Sequence, residues 1–226
     1  LMLLDIFYKA IGNQRINQYY SDQYLVNLLR YISCLAYNNQ LPNFGDNDGA
    51  KATYPFYEHE YSIEHLTKYY EMLQPGSEVN NSLICKESGQ FIWKSDDAKK
   101  IYVFVRAGKH SFLPIGSGSH AHNDILSLIL SINNEELFID HGTFLYNSGI
   151  DVINNDRSTA NHNTISIANY EQASFAGKWL YGNYPVSEFV DDQMIIGKSS
   201  FVFHGKCVYS GKSHIRRIEY NHCKFI

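Results

Sequence analysis

Gly116-Ser117-Gly118-Ser119-His120-Ala121-His122-Asn123-Asp124, followed by the apolar run Ile125 to Ile132, is the stretch on which the reading of this chain turns. Two histidines stand two residues apart and run straight into a strand-like segment. In an extended chain, residues i and i+2 point to the same face, so His120 and His122 are expected to serve one site together. Two partners of suitable chemistry lie downstream. Asp140 closes Leu137-Phe138-Ile139-Asp140-His141-Gly142, and His162 lies in Arg157-Ser158-Thr159-Ala160-Asn161-His162-Asn163-Thr164. Two His and one Asp are a suitable set of three zinc ligands, with a fourth position left for water or substrate. The same residues also suit a plainer role as hydrogen-bonded polar groups at a strand edge.

Working outward, the pattern on either side of this stretch differs. Before it, Leu1 to Ile11, Tyr19 to Tyr37 and Ser62 to Leu73 carry apolar residues at helical spacing. Ser62 is placed as an N-cap, with Glu64 in the first turn. Asp46-Asn47-Asp48-Gly49 resembles the start of a calcium loop but lacks the later ligands, and reads as a turn. Pro75-Gly76 to Asn81 is polar and turn-rich, and a domain boundary is expected there.

After it, short β-type runs take over. They are Phe91 to Lys94, Ile101 to Arg106, Ile125 to Ile132, Glu136 to Asp140, Thr164 to Ala168, Met194 to Ile196, Phe201 to His204 and Ile215 to Tyr220. Many short strands at such spacing predict an antiparallel sandwich. The expected fold is therefore α+β in two parts, mainly β: helices over residues 1 to 75, then a sandwich over 76 to 226.

Composition narrows the function classes. The 226 residues are 44% hydrophobic, enough for a substantial core. With 18 Tyr and 13 Phe the chain is rich in rings that pack on sheets and also stack on sugars. A net charge of -4 and the lack of a dense basic cluster argue against nucleic acid. No run approaches the ~20 apolar residues of a membrane span. The four cysteines, at 34, 85, 207 and 223, form no C-x-x-C pair and no disulfide framework. There is no G-x-G-x-x-G, P-loop or βαβ alternation, which excludes nucleotide folds. H-x-H also opens amidohydrolase sites, but those need a (β/α)₈ barrel, and no such alternation exists here. Leu1 to Ile11 lacks a leader's cleavage pattern. The chain starts at Leu1 and stops within a strand-like run, so it is expected to be a piece of a longer protein.

The ordered set H-x-H-x-D, apolar strand, D-x-G-T-x-x-Y and R-S-T-x-x-H-N-T resembles the heparinase II/III family of polysaccharide lyases. The residues concerned are His120 to Asp124, Asp140 to Tyr146 and Arg157 to Thr164. The resemblance implies the last helices of an incomplete α/α toroid, truncated, joined to a β-sandwich. It implies a parent enzyme that cleaves an acidic, uronate-containing polysaccharide by β-elimination, in the periplasm or outside the cell. Metal ligands carried over by the resemblance are His122, Asp140 and His162, holding one zinc that braces the loops beside the cleft. His120 matches a substrate-contacting catalytic histidine. Tyr146 matches a catalytic and substrate-binding position, and Arg157 a substrate-binding one. His141, where proline or a similar residue is common, receives no role. The family's principal catalytic Tyr, with its Asn or His partner, lies on toroid helices that precede this region. The fragment alone is therefore expected to be inactive. The competing expectation is a metal-containing sandwich that binds glycan without cleaving it.

Overall fold

The computed structural model describes residues 22–46, 63–73, 82–110, 120–178, 180–190, 193–221 and 224–226. The expected helix at Leu1 to Ile11, the Ser62 cap, the Pro75 to Asn81 boundary and Gly116 to Ser119 lie outside them. The chain divides into two compact units. One holds residues 1–41 and 49–80, and the other residues 42–48 and 81–226.

The first unit contains helices α1 (Asp22–Leu35) and α2 (Ile63–Leu73). Val26, Leu29, Ile32 and Ala36 meet Ile63 and Tyr70 in a small apolar core, as the helical spacing of α1 requires. Lys68 pairs with Glu64 one turn away on the exposed face of α2.

The second unit is a sandwich of two antiparallel sheets. The first sheet runs β1 (Leu83–Cys85), β2 (Gln90–Lys94), β3 (Tyr102–Arg106), β4 (Leu128–Ile132) and β5 (Glu135–Phe138), each paired with the next. The second has the order β10 (Lys224–Phe225), β9 (Lys212–Asn221), β8 (Phe201–Tyr209), β6 (Val186–Phe189), with β7 (Ile195–Ile196) also paired to β8. Phe91, Trp93, Val103 and Val105 point inward from the first sheet, and Phe201, Phe203, Cys207, Tyr209 and Tyr220 from the second. Ring pairs lock the sheets together, with centroids 4.8 Å apart for Trp93 and Phe201 and 5.2 Å for Phe91 and Phe203. Trp93 also donates its Nε1–H to the carbonyl of Gly197 at 2.8 Å, so its buried polar edge is satisfied.

Two expected strands are corrected. The run from Ile125 starts as strand only at Leu128; residues 124–127 instead form a turn closed by Ser127 N–H to Asp124 O at 2.9 Å. Leu126 sits there with a φ of +60° and is fully buried. Its side chain occupies the space over Gly205, where a Cβ would come within 2.6 Å of Leu126 Cδ2. A burial knob wins over strand propensity. Thr164 to Ala168 is no strand either. Among the described residues its ladder contact is an isolated bridge from Ile167 to Tyr170, and Ala168 has a φ of +53°.

His214 on β9 is buried, and neither ring nitrogen has a partner among the described residues. Burial, with the Arg216 charge added, holds its pKa down at about 4, against an ordinary 6.5. The folded ring stays neutral over a range where the unfolded ring binds a proton. Stability therefore falls as pH drops from the unfolded value toward the folded one. Urea denaturation is expected to lose about 2 kcal/mol between roughly pH 7 and pH 5 through this group. His214→Leu is expected to flatten that slope; an unchanged slope would show that the ring is already solvated.

Candidate functional site

The site is built on the turn that replaced the expected strand. Asn123 anchors it from within. Its backbone N–H donates to Arg157 O at 3.0 Å, and its amide donates to Glu171 Oε2 at 2.8 Å and Ala173 O at 3.0 Å. Its Oδ1 accepts Ala173 N–H at 2.9 Å and faces His110 Nε2 at 3.1 Å. Every polar atom of this buried amide is used, which makes the turn unique rather than merely compact. Asp124 pairs with Arg106 at the end of β3. Gln172 grips the next residue, accepting Ile125 N–H at 2.9 Å and donating to Ile125 O at 3.0 Å.

The R-S-T-x-x-H-N-T segment closes the other side. A short helix, α3 (Ile150–Asp156), ends at Arg157, and Thr159 to Asn161 form one 3₁₀ turn. Thr159 gives both its N–H and its hydroxyl to Glu171 Oε2, each at 2.7 Å. Asn163 donates to Leu128 O at 3.0 Å and Ile139 O at 2.6 Å, tying the start of β4 to the end of β5. Thr164 donates to Ile125 O at 2.6 Å. Arg216 reaches from β9 to the carbonyls of Leu126 and Asn163, at 2.5 and 2.6 Å. The motif's amide and hydroxyls are thus spent on positioning His162.

His120 and His122 do not share an orientation. The His120 side chain is 67% exposed and the His122 side chain 1%. This corrects the same-face expectation, whose premise was an extended strand. They are joined instead by a residue assigned only to a turn. Asp46 Oδ2 meets His120 Nδ1 at 3.1 Å, and Asp46 Oδ1 meets His122 Nε2 at 3.0 Å and accepts the Thr143 hydroxyl at 2.7 Å. Burial works to raise the pKa of Asp46, but the bonds from His122, Thr143 and His120 outweigh it and hold the carboxyl below its usual range. Asp46 arrives on a segment fastened to the sandwich. Phe44 stacks on Phe104 with centroids 4.8 Å apart, Asn43 donates to His141 O, and Asp46 N–H donates to His120 O at 3.4 Å. Gly142, at a φ of +60°, makes room, since a Cβ there would lie 2.5 Å from the Asn43 amide oxygen.

Tyr146 lies beside His120, as expected of a shared site. Its hydroxyl is 3.4 Å from His120 Nδ1, and the two rings are parallel within 5° at a centroid distance of 6.1 Å. Arg157 is elsewhere. It is 2% exposed, with its guanidinium over the rings of Phe175 and Tyr181 at 4.8 and 4.6 Å. It donates to Asn154 Oδ1 and to Gly177 O, each at 2.6 Å from Nη2.

His122, Asp140 and His162 are neighbours. His162 Nδ1 meets Asp140 Oδ2 at 2.8 Å, and the His122 and His162 rings are 5.2 Å apart. Gly142 N–H donates to Asp140 Oδ1 at 2.9 Å. Burial opposes ionisation of both partners, yet their mutual bond wins, lowering the pKa of Asp140 and raising that of His162. Among the described residues no group of three or more His, Cys, Asp or Glu is already gathered around one point for a metal. The donor chemistry nonetheless fits a cation. A carboxylate only accepts, so His122 Nε2 and His162 Nδ1 must carry the protons. Their other nitrogens, His122 Nδ1 and His162 Nε2, are buried and without partners among the described residues, and in the neutral rings they are lone pairs. Carboxylates behind imidazoles are also how metal-binding histidines are oriented.

A family profile described as Heparinase II/III-like, C-terminal, matches residues 80–223. No curated protein matches the chain. Among solved structures, a heparinase III gene product is 18% identical, with a TM-score of 0.61 over 96% of this chain and 34% of that one. A heparan sulfate lyase from Pedobacter heparinus is 19% identical, with a TM-score of 0.62 over the same shares. A third, heparinase III, is 15% identical, with a TM-score of 0.62 over 93% of this chain and 34% of that one. These likenesses are of fold. The chain spans about a third of the length of each.

Proposed function

The chain belongs to the heparinase II/III-like, C-terminal family, and from that membership we propose that it is the sandwich-bearing part of a lyase that cleaves an acidic, uronate-containing polysaccharide by β-elimination. The carrying observation is the exposed His120, held by the Asp46 carboxylate with Tyr146 at its side. In β-elimination a base takes the proton next to the uronate carboxylate. The electron pair forms a carbon–carbon double bond, the glycosidic C–O bond breaks, and an acid returns a proton to the departing oxygen. Imidazole and phenol suit both transfers at neutral pH. Glycoside hydrolysis instead normally uses paired carboxylates across the scissile bond. Here Asp46 and Asp140 are both occupied by histidines. His120 and Tyr146 therefore contact substrate on the sandwich side. The principal base and acid are contributed by the helices of an α/α toroid. Arg157, being buried, supports substrate binding through Phe175, Gly177 and Tyr181, which it contacts.

His122, Asp140 and His162 would hold one zinc ion, being neighbours with suitable donor chemistry. When bound, it supplies positive charge beside the cleft and braces the loops. The parent acts in the periplasm or outside the cell, where such polymers are met. The test is to mix the full-length protein with heparan sulfate, hyaluronan, chondroitin and alginate in turn. Ultraviolet absorbance of the conjugated enoate should rise with one of them. New reducing ends without that absorbance would mean hydrolysis. Binding without any new ends would mean a glycan-binding module.

A further inference from the structure

We infer that Asp46 is a positioning residue that holds His120 in its Nδ1–H tautomer, so that Nε2 is the bare nitrogen offered to substrate; this rests on the lyase reading above. A neutral imidazole has one donor and one acceptor nitrogen, and the group bonded to one of them decides which is which. Asp46 Oδ2 lies 3.1 Å from His120 Nδ1. The carboxylate is surrounded by donors, with His122 and Thr143 on its other oxygen. It can only accept, so Nδ1 must carry the hydrogen. The Tyr146 oxygen, 3.4 Å from the same nitrogen, lies at longer range and does not change that assignment.

The contrast in burial gives the arrangement its use. The Asp46 side chain is 8% exposed and that of His120 67%. A buried carboxylate thus grips an exposed ring from behind, and the far nitrogen is the one that can reach a polymer. Without Asp46 an exposed imidazole would revert to the Nε2–H form that predominates in free histidine. It would then present a donor to the substrate in place of a lone pair.

The chain with ¹⁵N-labelled histidine decides this directly. In the neutral form of the ring, identified from the spectrum itself, the His120 signals are expected to show a protonated Nδ1 and a bare Nε2. Asp46→Ala should convert them to mainly Nε2–H, while Thr143→Val should leave them unchanged. A wild-type His120 already in the Nε2–H form would overturn the inference, and that spectrum suffices even if Asp46→Ala does not fold. Equal shifts in both variants would also overturn it, since that would mean general loosening. In the full-length enzyme, Asp46→Ala should lower kcat by roughly 10²-fold with KM nearly unchanged, and Asp46→Glu should recover part of the loss. Absence of any lyase activity would sink the proposed reaction but leave the tautomer measurement to decide this point.

Discussion

His120→Ala in the full-length protein is expected to cut turnover by roughly 10²- to 10⁴-fold, the range in which one proton-transferring side chain acts. The fold should scarcely notice. The ring is exposed, and surface substitutions without special partners usually shift stability by no more than about 0.5 kcal/mol. Its loss does free one oxygen of Asp46, but His122 and Thr143 remain on the other. Zinc content should also be unchanged, because His120 is not among the proposed ligands. Single-turnover kinetics, a melting curve and elemental analysis on the same preparation separate the three. If zinc disappeared along with turnover, His120 would be a ligand and the division of roles between the two histidines would be wrong.

His122→Ala is expected to do the opposite. The side chain is buried and bonded to Asp46, and its other nitrogen has no partner among the described residues. Removing it leaves a cavity and takes one donor from a largely buried carboxylate, together costing about 3–5 kcal/mol. Zinc is expected at about one ion per chain in the native protein and absent from the variant. Part of the lost stability is metal affinity, since a site assembled only by folding returns its binding energy to the folded state. Chelation of the native protein should therefore reproduce some, but not all, of the loss in urea. A native protein that contained no zinc after purification without chelator, and melted unchanged on chelation, would refute the metal.

The two-part layout and the antiparallel sheets were legible because alternation and helical spacing survive in short windows. Residues 102–105 and 128–130 are unbroken apolar runs, as central strands require. The nine-residue β8 was read as only four, because Gly205 and Lys206 interrupt its apolar run. That glycine is a requirement of packing against Leu126, which no local pattern announces. β6, Val186–Phe189, escaped for a related reason: two of its four residues are exposed and one of these is Glu188. The gathering of His122, Asp140 and His162, and of His120 with Tyr146, was legible in type and order, but the directions of the side chains were not. The opposite exposures of His120 and His122 go with a segment that is not strand and with contacts to the distant Asp46, which are tertiary features. Asp46 lies 76 residues before His122, in a run that reads only as a turn. Only a folded chain shows that its carboxyl belongs to them.

Residues 42–48 belong to the sandwich, although residues 49–80 return the chain to the helical unit. A truncation starting at Asn81, the natural place to cut by composition, would retain every strand and both histidines yet discard the Asp46 that joins them. It would also strip Phe44 from Phe104 and uncover that ring. Recombination that swapped sandwiches between members of the family at the same place would inherit the same defect. The heritable unit of this site is thus discontinuous, and exchange succeeds only when the short upstream tether travels with the strands it serves.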